Sequence, residues 1–321
     1  MRVANSHVRI GTFQYFAARG DFEGVRELAN HVIQKLYPNI STKVNPYLSL
    51  LEIIIQGQAK LIANWQLIGF IHGVMNTDNM SVAGETIDYG PCAFMDKFHS
   101  KTVFSSIDQM GRYAYENQPR IAQWNLACLA ETFLPLISDN EQKAVELAQN
   151  AINNFIPIFD AEYINLFRKK LGFHEVRDDD LELGHNLLSI MELNNADFTL
   201  TFRYLSYLKN VKTDADTRIQ NLFEKTSSID AWLLKWRARL NYESHNEVFR
   251  HDSMLSVNPA FIPRNHIIEE VIDNAVNHQN FTLFHDLINT LELPYKDQLE
   301  YDYFFQPPRA DQIVKETFCG T

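Results

Sequence analysis

HGVMNTDNMSVAGETIDYG, residues 72–90, interrupts a chain that otherwise reads as helix. Met80–Val82 and Thr86–Asp88 are short β-compatible runs on either side of Ala83-Gly84-Glu85. A Gly between two such runs predicts a tight hairpin. A loop of two or three residues centred on Gly84 brings Asp88 opposite residues 79–81, with Asn79 at its side. Asp78 then points to the other side of the backbone.

An amide oxygen beside a carboxylate suits a hard cation. Mg2+ takes oxygen ligands and is commonly held by one or two protein groups plus substrate phosphates, with Mn2+ as the alternative ion. A second carboxylate left free of the metal is available as a proton acceptor. Protein kinases use the same parts: a catalytic-loop Asp takes the hydroxyl proton, while an Asn and a later Asp-x-Gly aspartate hold the metals. Asp78, Asn79 and Asp88-Tyr89-Gly90 reproduce that set at compressed spacing. Asp, Asn and Gly are also the commonest turn residues, so DN or DYG alone says little. The signal is in the combination. His72 is expected to be structural, bonding the loop backbone, because no second His or Cys stands at zinc-site spacing.

Outward from this stretch the pattern is helical. Asp21 predicts an N-cap, with Val25, Leu28, Ala29, Val32, Ile33 and Leu36 at helical spacing and Pro38 at the end. Asn45-Pro46 opens the next helix, with Pro at its first position. It runs through LSLLEIIIQGQAKLIANWQLIGF to about Phe70 and is apolar nearly all round, which predicts burial. Helices resume at RIAQWNLACLAETFLPLI, then Glu141–Leu171, Leu181–Leu193, Phe198–Leu208, Asp230–Leu240 and Pro263–His278. The run Asp178-Asp179-Asp180 predicts a helix N-terminus complementing the dipole. Strand signals are few; Arg2–Ile10 is one, followed by a turn. The fold class is mainly α. Residues 1–140 form a core carrying the loop, and 141–321 form a helical extension packed on it as one continuous unit.

The 321 residues allow one large domain or two average ones, and 45% hydrophobic content fills a real core. With 29 basic and 40 acidic residues the net charge is −11, which argues against a nucleic-acid surface. No apolar run reaches the roughly 18 residues of a membrane span, and no signal-peptide h-region precedes the first helix. Cys92, Cys128 and Cys319 lack CxxC partners and are too few for a disulfide framework. A cytoplasmic setting is the expectation.

At these residues the sequence resembles the selenoprotein O family. HGVMNTDNMS with TIDYGP is that family's signature stretch, and RVANSHVRIGTFQYFAARGD, Gly111-Arg112-Tyr113, Glu116-Asn117-Gln118-Pro119 and Ala122-Gln123-Trp124-Asn125-Leu126 agree with it. So do Asn258-Pro259, Arg264-Asn265 and the final cysteine. The resemblance implies a protein-kinase-like fold, here its helical C-lobe. It also implies transfer of AMP from ATP to Ser, Thr or Tyr hydroxyls of proteins, with UMP transfer linked to some bacterial members. It assigns Asp78 as proton acceptor, Asn79 as metal ligand and Asp88 as a ligand of both metal and ATP. Arg2 and Arg9 match positions that contact the nucleotide phosphates, a task suited to the forked guanidinium.

Two features depart from the family. Members carry a sheet-rich lobe with a Gly-rich nucleotide loop before RVANSH, and no GxGxxG-like run occurs among the 12 glycines here. The expectation is a helical lobe that is inactive alone, completed by a separately encoded N-terminal lobe, or else a non-catalytic remnant. A kinase-like phosphotransferase stays open as well, since the residue set does not say which phosphorus is attacked. Cys319 stands where the family places its terminal selenocysteine or cysteine, but Glu316 occupies the position three before it. A disulfide from Cys319 to Cys92 or Cys128 and a redox role for the tail thiol follow only from that resemblance. Cys92 itself reads as a small buried side chain.

Overall fold

The computed structural model describes residues 3–318; Arg2 and Cys319 lie outside the described residues. Helices α1 (Ile10–Ala17), α2 (Phe22–Leu36), α3 (Pro46–Leu67), α4 (Gln118–Ile137), α5 (Glu141–Asn153) and α6 (Phe155–Leu171) build the first half. Helices α7 (Asp180–Leu193), α8 (Phe198–Ser206), α9 (Asp216–Gln220), α10 (Thr226–Leu240), α11 (Glu247–Leu255), α12 (Asn265–Asn277), α13 (Thr282–Glu292) and α14 (Asp302–Phe305) follow. Sheet among the described residues is one antiparallel pair, β1 (Phe70–Ile71) with β2 (Ala93–Phe94), in the register Phe70 to Phe94 and Ile71 to Ala93. The fold is mainly helical, as the sequence implies.

Local chemistry sets the early helix starts. Asp21 accepts the Gly24 N–H at 2.8 Å, and Asn45 accepts the Leu48 N–H at 3.0 Å with Pro46 behind it. Three sequence expectations are corrected. The run Arg2–Ile10 is not a strand where it is described: residues 3–8 are irregular, Arg9 makes one antiparallel bridge to Ser81, and α1 begins at Ile10. Ile10 and Phe13, one turn apart, are both fully buried, and Phe13 meets Phe133 edge-on at 5.1 Å, so helical packing wins over extended pairing. Helix α3 stops at Leu67, because Gly69 takes a φ of 70° and turns the chain into β1. Glu141–Leu171 is two helices rather than one. Pro157 cannot donate within a helix and is tolerated in a first turn, which places a new helix start at Phe155.

The acidic run does open α7, but Asp180 does more than face the dipole. It is buried and accepts from Arg168 Nε at 2.9 Å and Arg239 Nε at 2.6 Å. Helices α9, α11, α13 and α14 are additions to the sequence reading.

Among the described residues, three apolar clusters hold the fold together. The first joins α1 to α5 with the opening turns of α6, and α3 packs along α6 through it. The second joins the end of α6 to α7, α8 and α10. The third holds α12 to α14. The stretch 72–90 lies across the seam between the first two. Met75, Met80 and Val82 fill the first cluster, while Ile71, Ala93 and Met95 on its flanks fill the second. Among the described residues, no helix is long and apolar enough to cross a membrane.

Candidate active site

The loop between β1 and β2 has little regular structure of its own, so its backbone groups need partners from elsewhere. Helices α3 and α4 supply them. Gln58 of α3 donates to Ser81 O at 2.6 Å, and Trp65 Nε1 donates to Thr86 Oγ1 at 2.9 Å. Gln118 of α4 accepts the His72 N–H at 3.0 Å and donates to Phe70 O at 2.9 Å. Asn125 donates to Met75 O at 2.8 Å. These amides are buried on apolar helices, where an unpaired polar group would cost about 1–3 kcal/mol. The sequence reading passed over them; the signal was a polar letter on a buried helix face.

His72 is fully buried, and its Nε2 lies 2.8 Å from Ile87 O. The Val74 N–H approaches Nδ1 at 3.4 Å, so the proton sits on Nε2 and is donated to Ile87 O. Burial pushes the His72 pKa down, against the smaller upward pull of the Ile87 carbonyl and the Asp88 charge. The ring is a neutral strut for the backbone, as its setting in the sequence suggests.

The turn at the tip is looser than a two- or three-residue hairpin. Met80 and Thr86 form a single antiparallel bridge, with residues 81–85 between them. Ser81 is committed on its other side: it bridges Arg9, with Ile10 N–H to Met80 O at 3.0 Å and Val82 N–H to Val8 O at 3.1 Å. Extended outward, the Met80–Thr86 register sets Asp88 opposite Asp78 rather than Asn79. Gly84 has a φ of 69° and backs onto Gly57 of α3, where an added Cβ would come within 3.2 Å of that glycine's Cα.

Asp78 and Asn79 lie together in a 3-10 turn, Thr77–Asn79. Asn79 is buried and donates Nδ2 to Val74 O at 2.9 Å; no described residue donates to its Oδ1. Asp78 is exposed, and neither its carboxylate nor that of Asp88 pairs with a described side chain or N–H. Asp78 rests against Gly11 at the start of α1. Asp88 has a φ of 59°, in the left-handed region that Asp tolerates better than most residues. Arg9 reaches the loop through its backbone bridge to Ser81 and makes no ion pair among the described residues. Cys92, four residues past Asp88, is a free thiol whose pKa burial pushes up to about 11. It is protonated and unreactive at neutral pH.

Among the described residues, no three His, Cys, Asp or Glu side chains converge into a complete metal-binding group. The unpartnered oxygens of Asn79 and Asp88 nonetheless have the hard-donor character that Mg2+ or Mn2+ requires. A mainly helical body with one small sheet, framing an Asp-Asn turn and an Asp-x-Gly, is consistent with a protein-kinase-like helical lobe.

Comparison with known proteins makes the family specific. The profile of the family described as protein adenylyltransferase SelO matches residues 1–292, and the chain belongs to that family. A protein nucleotidyltransferase YdiU of Rhodopseudomonas palustris (strain BisB5) is 52% identical over 320 residues, which is all of this chain and 65% of that protein. Similar proteins of the same description from Methylorubrum populi and Rhizobium meliloti (strain 1021) are 51% identical over 325 residues and 50% identical over 320. This chain spans 65% of the length of each of them.

Proposed function

We propose that this chain serves a protein adenylyltransferase reaction, moving AMP from ATP to Ser, Thr or Tyr hydroxyls of proteins. The observation that carries the reading is a set of unpaired oxygens, on Asp78, Asn79 and Asp88, mounted on a loop whose backbone is tied down by buried amides and His72. A buried side-chain amide is ordinarily paired, so the free Oδ1 of Asn79, set beside two unpaired carboxylates on a rigid mount, is prepared for a ligand. Family membership supplies the ligand class.

In this mechanism Asp78 accepts the proton of the substrate hydroxyl. The hydroxyl oxygen then attacks the α-phosphorus, the bond from that phosphorus to the α,β-bridging oxygen breaks, and pyrophosphate leaves. Asn79 and Asp88 are the residues that would hold a divalent cation, which when bound supplies charge screening to the phosphates. Arg9 and Arg2 are the proposed phosphate contacts, adding positive charge where negative charge accumulates. Asp88 has a second proposed role in placing ATP. Positioning and electrostatics account for most of the acceleration in phosphoryl-type transfers, so these few residues suffice for the chemistry once the nucleotide is oriented.

The test is label transfer to protein substrates in the presence of Mg2+, with α-labelled and γ-labelled ATP in parallel. Transfer from the α position alone, abolished in Asp88→Ala, supports adenylylation. Transfer from the γ position would make the site a phosphotransferase. Silence from both, with no heat on titrating ATP and Mg2+, would overturn the reading.

A further inference from the structure

We propose that Gly11 is a positioning residue for Asp78, and that its missing side chain is what lets the proton-accepting carboxylate occupy its working place. The inference rests on the reading of Asp78 given above. A Cβ built on Gly11 would stand 2.0 Å from Asp78 Oδ1, 2.9 Å from its Cγ and 3.3 Å from its backbone nitrogen. The hydrogen of Gly11 that occupies the Cβ direction therefore points at Oδ1. No real Cβ tolerates the first two distances, so any other residue at position 11 excludes the carboxylate from where it sits.

Only one side of this contact can retreat easily. The start of α1 is stitched to the loop by Ile10 N–H to Met80 O at 3.0 Å and by the Arg9–Ser81 bridge. Ile10 and Phe13 anchor the same turn in the first cluster, both fully buried. The Asp78 carboxylate, in contrast, is exposed and receives no hydrogen bond from a described residue. The two shortest contacts of a methyl at position 11 are thus relieved by rotation of Asp78 about χ1 rather than by movement of the helix, leaving the tight 3.3 Å approach to the Asp78 backbone nitrogen to be absorbed by a small shift of the loop. Gly11 has no positive φ that would itself demand glycine, and glycine is ordinarily the weaker helix residue. The close approach of Asp78 accounts for it.

The expected behaviour of Gly11→Ala separates the fold from the chemistry. The variant melts close to the wild-type temperature, because alanine's preference for the helix offsets the residual crowding against the Asp78 backbone nitrogen. Its crystal structure shows Asp78 in a different χ1 rotamer. Adenylyl transfer falls in kcat by about 100-fold, the scale of an ångström-sized misplacement, with KM for ATP within about twofold. Asp78→Asn is assayed beside it. An Asp78 rotamer unchanged in Gly11→Ala overturns the inference, and so does wild-type kcat in Gly11→Ala where Asp78→Asn is inactive. Full transfer by Asp78→Asn would instead remove the proton-acceptor role, leaving the rotamer to decide the contact. Should Gly11→Ala fail to fold, Gly11→Ala in an Asp78→Ala background must recover folding; a double variant that stays unfolded also overturns the inference.

Discussion

The Nε2 of His72 lies 2.8 Å from the carbonyl oxygen of Ile87, the residue before Asp88. One buried ring thereby fixes the peptide that delivers Asp88 in its left-handed conformation. Removing the ring leaves a buried carbonyl unpaired and frees that peptide to rotate. His72→Ala should lose about 1–3 kcal/mol of stability from the orphaned carbonyl. His72→Gln, which can still donate to Ile87 O, should lose less and retain more transfer activity. Chemical denaturation of the two variants with parallel transfer assays checks the order; equal losses would show that the hydrogen bond is not what His72 contributes.

The same ring gives stability a pH dependence of known sign. Burial holds the folded pKa of His72 below its ordinary 6.5. As pH falls through 6.5 the unfolded chain takes up a proton that the native state refuses, so stability declines. The decline from this group ends once pH passes the folded value. His174, His185 and His266 are shifted downward by burial too and contribute in the same direction. The His72 share is the difference between wild type and His72→Gln. Melting temperatures from pH 7.5 to 5 should fall more steeply for wild type, and parallel curves would remove His72 from the account.

Asp88 combines a backbone demand with a chemical one, and two substitutions part them. Asn tolerates a φ of 59° but carries no charge. Asp88→Asn should keep wild-type stability while lowering transfer on the order of 100-fold or more. Asp88→Ala should lose the activity and in addition up to about 1 kcal/mol, since alanine tolerates the left-handed region less well than Asp or Asn. Equal melting temperatures for the two would show that the conformation at position 88 is relaxed.

How much of this was legible in the sequence follows from the range of each interaction. The caps at Asp21 and Asn45 were visible because a cap bonds an N–H three residues away. The Asp-Asn turn and Asp-x-Gly were visible because the chemistry crowds into one stretch. The amides of Gln58, Gln118 and Asn125 were not, because their partners lie 23, 46 and 50 residues away. Helix α1 was hidden for a related reason. Its eight residues are too few to show a period clearly, and their burial depends on Phe133 of α4. The hairpin register was misjudged because pairing of Ser81 with Arg9 competes with a tight turn, and local turn rules do not see that partner.

The contact of Gly84 with Gly57 predicts an asymmetry. At Gly84 a methyl meets the Gly57 Cα at 3.2 Å on a backbone with a φ of 69°, and both count against it. At Gly57, in mid-helix, a methyl would stand 3.6 Å from the Gly84 Cα, which is ordinary contact. Gly84→Ala should therefore cost about 1–3 kcal/mol through crowding and conformation. Gly57→Ala should be neutral or gain up to about 1 kcal/mol from helix propensity. Urea denaturation of both single variants reads the difference; similar losses at the two positions would mean that the tip does not pack as closely on α3 as described.

Arg264 couples the segment after β2 to the helices beyond it. Its guanidinium is buried and bonds the carboxylates of Asp96 and, at 2.8 Å, Asp197, while Asp197 also caps α8 by accepting the Leu200 N–H. Burial raises the Asp96 pKa, with Arg264 pulling it back down. Arg264→Met leaves the buried Asp197 and the partly exposed Asp96 without their cation, a loss of about 3–5 kcal/mol when one partner of a buried pair is removed. Adding Asp96→Asn and Asp197→Asn should recover most of that loss, since Asn can still cap α8 and no charge is left uncompensated. The deficit of Arg264→Met should also shrink on acidification, as Asp96 takes up a proton more readily without its cation. Denaturation of the single and triple variants at pH 7.5 and 5 measures both effects. A triple variant no more stable than Arg264→Met would show that the guanidinium stabilises through packing rather than through charge.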